Sequence, residues 1–360
     1  MNEQDYPGGA SRPAPESPEK NDKKLFSIVG FALFAAFALN VGLSILLPLL
    51  AEKVLPGIMS NPYFYWGMYI LVMYVAAFPV GIAILRAVPR KAPDLAVSRE
   101  KSGLSLAAFL GFLLCAYPMM YAGNYVGSIL NSLLYTFTGR SSALDVTELM
   151  SEGPLWLSAI MTVVAAPVME EIFFRGALMG ALRGWGDRTA ILVSALAFGL
   201  FHANLQQFCY AALLGLLLGY VYARTGKLIY TILLHMMINL FSGFLPSWLL
   251  TEQIDFGSLN DLLDSAVSGL DESGLASGMA AFVADNLPGL LLYAAYAMVL
   301  LALIVSGALL LFSSLRSVRL EKGPRSLERS RVGDTVFLAP GMALFIFASI
   351  GFMIWNVLRL

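Results

Sequence analysis

Six polar residues with the means to do chemistry stand inside stretches that are otherwise apolar. Glu170, Glu171 and Arg175 share the segment MEEIFFRGALMG, residues 169–180. His202 lies in FGLFHAN, residues 198–204, and His235 and Asn239 bound HMMIN. His202 and His235 are the chain's two histidines. On a helix, residues four apart share a face. Glu171 can therefore pair with Arg175, Phe198 stands one turn before His202, and Asn239 one turn after His235. Glu170 points about 100° away from Glu171 and has to look toward another helix. A carboxylate and an imidazole can take a proton from water. A second imidazole and an amide can donate to developing negative charge. Those are the requirements of peptide hydrolysis.

Depth is compatible with one site. At about 1.5 Å per residue, Glu170 lies ~18 Å from Leu182, His202 ~20 Å from Thr189 and His235 ~10 Å from Leu228. Taken singly, each feature has a plainer explanation: a membrane histidine as a packing group, a Glu–Arg pair as a clamp. The plain explanations weaken when all of these groups fall on three neighbouring helices. Ionisable residues inside a membrane are costly and mark function by default.

The surrounding composition says what must position them. Of 360 residues, 58% are hydrophobic and 13% charged, with a net charge of −1. A soluble domain carries about 25% charged residues, and nucleic acid is excluded as a partner by the scarcity of basic groups. A bilayer crossing needs ~20 apolar residues. Nine candidate runs occur: 25–51, 62–85, 104–125, 155–182, 189–203, 207–223, 228–250, 289–315 and 336–357. The fifth is the shortest. Lipid demands that every backbone group be satisfied internally, and strand-like alternation is absent. The expected fold is an all-α, polytopic membrane helical bundle of about eight to nine transmembrane helices.

Cys115 and Cys209 both sit in apolar runs and form no CxxC pair, which argues against a disulfide framework or a cysteine zinc site. The first run follows Lys20, Lys23 and Lys24 but is too long for a signal-peptide core, so it reads as an anchor. Gly176, Gly180 and Gly184, with Gly215 and Gly219, are spaced for a helix-packing face. Five regions are expected. Residues 1–24 form a disordered cytoplasmic tail and 25–150 the N-terminal transmembrane helices. Residues 151–250 form the catalytic core, 251–287 an extracytoplasmic acidic loop, and 288–360 the C-terminal transmembrane helices. Basic residues gather at Arg86–Lys101, Arg183–Arg188, Arg224–Lys227 and Arg316–Arg331, whereas Thr251–Leu287 holds seven acids and no base. The positive-inside rule then places the N-terminus in the cytoplasm and the C-terminus outside the cell membrane.

The ordered set Glu170-Glu171-x-x-x-Arg175, Phe198-x-x-x-His202 and His235-x-x-x-Asn239 resembles the signature of the CPBP intramembrane proteases. That family includes the type II CAAX prenyl endopeptidases and the Abi and bacteriocin-processing proteins. The resemblance covers about residues 154–245, the Abi domain. It implies an endopeptidase that acts on a membrane-associated protein or peptide at the lipid bilayer. By motif position, Glu170 and His202 would activate water, and His235 and Asn239 would stabilise the oxyanion. Arg175 with Glu171 would hold the site's shape and charge, and Phe198 would support it. No cofactor is expected. The alternative is zinc on Glu170, His202 and His235 with Glu171 as base, but no HExxH presets such ligands. A non-catalytic scaffold or bacteriocin-immunity protein is the competing function. A proton-relay transporter ranks behind both, since no inverted repeat is visible.

Topology is open to a direct test. In a background lacking Cys115 and Cys209, a cysteine replacing Ser258 should react with an impermeant reagent added outside the cell, and one replacing Ser98 should not. The reverse pattern would invert the orientation.

Overall fold

Helices alone build the described part of the chain, because each span must close its own backbone hydrogen bonds in lipid. The computed structural model describes residues 18–88, 103–139, 154–267 and 271–359. The acidic residues Asp145, Glu148 and Glu152, most of the basic loop 86–101, and tail residues 1–17 lie outside them. The helices are α1 (Pro18–Val54), α2 (Pro62–Leu85), α3 (Leu106–Thr138), α4 (Leu155–Trp185) and α5 (Asp187–Phe201). They continue as α6 (Leu205–Thr225), α7 (Leu228–Leu250), α8 (Phe256–Val267), α9 (Glu272–Ser317) and α10 (Pro340–Leu358). Eight of them are long and apolar enough to cross a membrane. Leu49, Leu291, Leu309, Phe312 and Phe347 stand exposed on their outer faces, as lipid-facing groups should.

Three prolines shape the helices that carry the site. Pro79 in α2, Pro167 in α4 and Pro246 in α7 each lack an N–H, and each ring crowds a carbonyl in the preceding turn. A π-helical stretch comes just before each one: Ile70–Ala77, Ile160–Ala165 and Leu240–Phe244. The wider turn absorbs the clash. A second π stretch in α4, Ile172–Met179, has no proline behind it. Glu170 and Glu171 occupy the short α-helical piece between the two stretches of α4.

Two expectations need correction. The acidic stretch 251–287 is largely helical: it holds α8 and the first turns of α9. Asp271 starts α9 by accepting from the Ser273 hydroxyl at 2.8 Å and Gly274 N–H at 2.9 Å. Those two donors hold its carboxyl below the ordinary aspartate range. Pro288 is then carried inside the helix. The glycine row of α4 is the second correction. A Cβ on Gly180 would meet nothing, one on Gly176 would meet the Leu228 side chain and its own helix's Glu171 carbonyl, and one on Gly184 would meet the Arg325 side chain, so none presses on a neighbouring helix's backbone. The π stretch moves residues four apart off a common face. On α6 the expectation holds: a Cβ on Gly215 would press on the backbone of Ala195, and one on Gly219 would lie near Ile191.

The fifth run forms a helix of 15 residues. It spans about 22 Å, short of the ~30 Å hydrocarbon layer. It pairs with α6 as a hairpin whose turn is sunk in the bundle. α3 meets α6 at Gly127–Gln206 and Gly123–Tyr210, then continues about 16 Å further. α1 meets α5 at Phe37–Phe201, ring centroids 5.7 Å apart, and continues about 25 Å further. At its other end the α4–α5 turn is clamped by the basic segment after α9. Arg325 N donates to Gly184 O at 2.9 Å, and Glu321 N to the Asp187 carboxylate at 2.9 Å. Arg325 also covers the Trp185 ring.

α1 and α10 cross where Gly30 faces Gly341 and Met342, so closely that a Cβ on either glycine would overlap the other helix's backbone. Gly341→Leu should therefore destabilise the protein by about 1–3 kcal/mol or more, read as a lower unfolding midpoint in detergent. Gly351→Leu, ten residues on in open space, should change it by less than about 0.5 kcal/mol.

Candidate active site

The two adjacent glutamates have opposite surroundings. Glu171 is fully buried and accepts from Arg175 Nη1 at 2.9 Å. The same oxygen, Oε1, lies 3.0 Å from His235 Nδ1. A buried carboxylate can only accept, so that imidazole nitrogen carries the proton. Arg175, also fully buried, reaches Gly215 O with Nη2 at 3.4 Å and lies with its guanidinium carbon 4.6 Å from the Phe198 ring centroid. One carboxylate, one guanidinium, one imidazole, one aromatic face and one carbonyl thus tie α4, α5, α6 and α7 together.

Glu170, rotated about 100° from Glu171, faces the other imidazole nitrogen. Its Oε2 lies 3.8 Å from His235 Nε2, and its side chain keeps 15% of its exposure. That separation is too long for a hydrogen bond. Tyr69 and Tyr74 of α2 and Tyr210 of α6 stand close enough to Glu170 to feel its charge.

Phe198 separates the two histidines. Its ring meets His202 at 5.0 Å and His235 at 5.6 Å, edge-on in both cases. His202 Nδ1 lies 2.8 Å from Phe198 O. A carbonyl only accepts, so Nδ1 donates, and the neutral ring keeps its lone pair on Nε2. No hydrogen bond or ion pair joins His202 to Glu170 among the described residues. Asn239 uses one amide N–H on Thr162 O at 2.9 Å, and the amide has a second N–H to give.

The structure therefore gathers Glu170, Glu171, Arg175, Phe198 and His235 directly, sets His202 one ring away, and bonds Asn239 to α4. The reading of residues missed Thr162, Gly215, Tyr69, Tyr74 and Tyr210. The contacts at Thr162 and Gly215 are made by backbone carbonyls, which leave no mark on residue type. The tyrosines belong to helices chosen only for length and apolarity.

Residues 152–241 match the family described as type II CAAX prenyl endopeptidase Rce1-like. "Putative membrane peptidase YdiL" of Bacillus subtilis is 30% identical over 185 residues, 49% of this chain and 70% of that protein. The chain belongs to the Rce1-like family. A second relative, "UPF0177 protein YxdF" of Lactococcus lactis, is 23% identical over 123 residues, 34% of this chain and 68% of its own. No solved structure matches the chain significantly. Every candidate residue of this Rce1-like chain lies within 152–241, whereas Tyr69 and Tyr74 do not.

Removing one partner of a buried ion pair strands the other charge. Glu171→Ala and Arg175→Ala should each cost about 3–5 kcal/mol, measured by chemical unfolding in detergent. The double variant should cost much less than the sum, since it leaves neither Glu171 nor Arg175 unpaired.

Proposed function

We propose that this member of the family is an intramembrane endopeptidase in which Glu170 and His202 activate water. The observation that supports it best is the contrast between the glutamates. Glu171 spends its charge on Arg175 and His235, whereas Glu170 faces His235 across a gap of 3.8 Å and has charge to spare for a proton. His202, held by Phe198 O through Nδ1, keeps an accepting lone pair on Nε2, one ring away across Phe198. The pair takes one proton from water, and the hydroxide attacks the scissile carbonyl. The carbonyl oxygen becomes an oxyanion, held by the second N–H of Asn239 and by Nε2–H of protonated His235. Glu171, accepting from Nδ1, holds that ring in place. The proton taken from water passes to the leaving amine as the C–N bond breaks. The substrate is a membrane-associated protein or peptide, in keeping with the family's CAAX-processing name.

Zinc fits these residues poorly. Among the described residues, no three His, Cys, Asp or Glu side chains gather closely enough to hold a metal ion. The Phe198 ring lies against both imidazoles that would have to converge. No step of the proposed reaction needs the metal.

The test uses purified full-length protein in lipid with prenylated and unprenylated membrane peptides. Glu170→Gln and His202→Ala should each lower kcat about 10²–10⁴-fold with unfolding midpoints near the parent's. Cleavage that survives both substitutions would point instead to a non-catalytic scaffold. Chelator-washed, zinc-free protein should keep its rate. Loss of cleavage that stoichiometric zinc restores would overturn the metal-free reading.

A further inference from the structure

Hydrolysis consumes one water per turnover, and the site lies in a bundle whose outer faces meet lipid. Among the described residues, seven buried side-chain polar atoms have no hydrogen-bond partner in the protein. All seven lie on α2, α4 and α7, the helices around Glu170. Two belong to the charged cluster, Trp185 Nε1 faces Asp22 and Tyr74 Oη faces Tyr69, which leaves three neutral groups with no partner: Trp66 Nε1, Ser158 Oγ and Ser242 Oγ. Ser158 has no exposure at all, and Trp66 keeps 4%.

Helix register puts these atoms in sequence along one seam. α2 and α4 run parallel: Tyr63 meets Trp156 at one level, and Phe78 stacks on Phe173 further along. α4 and α7 run antiparallel, through His235 with Glu171 and then Asn239 with Thr162. Trp66, Ser158 and Ser242 therefore fall toward the end where α2 and α4 begin. Ser158 lies one turn from Thr162, whose hydroxyl donates to its carbonyl at 2.8 Å, and Ser242 follows Asn239 by three residues. Tyr74 falls further along, close enough to Glu170 to feel its charge. All three helices are widened by π turns on this stretch.

Leaving a buried hydroxyl or indole N–H unpaired costs as much as a lost hydrogen bond. Several on one seam are tolerated where water supplies the partners. We propose that Trp66, Ser158 and Ser242 border a water-filled lane between α2, α4 and α7 that delivers the hydrolytic water to Glu170. Its role rests on the reading of Glu170 as the residue that activates water. Its hydration can be measured without turnover.

The probe is the silver ion, small enough to follow a path one water wide and reactive toward thiols. Ser158→Cys and Ser242→Cys, nearly isosteric changes, are made in full-length protein lacking Cys115 and Cys209 and reconstituted in vesicles. Ile160→Cys is the control. It lies within a turn of Ser158 on α4, but Ile160 is 49% exposed on the outer surface, where lipid surrounds it. Silver should block the Ser158→Cys and Ser242→Cys thiols at least tenfold faster than the Ile160→Cys thiol, and from one face of the membrane. Rates no faster than the control overturn the lane. Should Ser158→Cys fail to fold, Ser242→Cys carries the same comparison. Silent thiols overturn the lane even if Glu170→Gln is inactive, and reactive thiols support it whatever Glu170→Gln does.

Discussion

The constraint on which this structure turns is a charge that has no water to go to. Glu171 and Arg175 are both fully buried, 2.9 Å apart. A buried ion pair repays its desolvation only when geometry is good and the remaining donors and acceptors are used. Arg175 therefore recruits Gly215 O from α6 and the Phe198 face from α5, and Glu171 recruits His235 from α7. Each recruitment fixes a helix. Once α5, α6 and α7 are held against α4, the positions of Glu170, His202 and Asn239 follow from helix geometry alone.

Proline supplies the second constraint. A straight α-helix would keep one face of α4 aligned from Leu155 to Trp185. The π turns before and after the Glu170–Glu171 pair break that alignment, so the glycines beyond it no longer form a packing row. The widened turns of α4 and α7 occur where those two helices approach one another beside the glutamates. Chains that must bring polar groups together inside a membrane profit from wide turns, which free carbonyls such as Thr162 O to accept from a neighbouring helix. The sunken α5–α6 turn serves the same end. A full-length fifth span would carry His202 out to the opposite surface, whereas 15 residues leave it inside.

What could be read in advance follows the same physics. Apolar run length fixes whether a helix forms, and eight helices are long enough to cross. The 3.6-residue period pairs Glu171 with Arg175 and turns Glu170 away, and both hold. Helix ends were less legible. Asp271 moves the start of α9 well ahead of Gly289, through a cap that an apolar-run reading ignores. Contacts between helices were hardest to foresee. Thr162 and Gly215 act through carbonyls, and Tyr69, Tyr74 and Tyr210 are ordinary aromatic residues until the fold sets them round a carboxylate. The basic segment after α9 reads as a cytoplasmic loop, yet its backbone bonds to the α4–α5 turn do work that no charge count reveals.

The matched region, 152–241, contains the charged cluster but cannot seal it. Glu170 keeps 15% of its side-chain exposure even with the whole described bundle around it, and Tyr69 and Tyr74 of α2, outside the match, are among the groups that feel its charge. Phe78 of α2 stacks on Phe173 at 4.5 Å and meets Phe174 edge-on at 6.1 Å, so α2 is pinned to the turn that follows the glutamates. On the proposed reading, a helix fixed there borders the approach of water and peptide to Glu170 without supplying any of the reacting groups. On that reading, the chemistry and the access to it are held by different parts of the chain. Residues of α2 can change while the Glu171–Arg175–His235 cluster stays intact, because among the described residues α2 gives the cluster no hydrogen bond and meets α4 through Phe78 against Phe173 and Phe174.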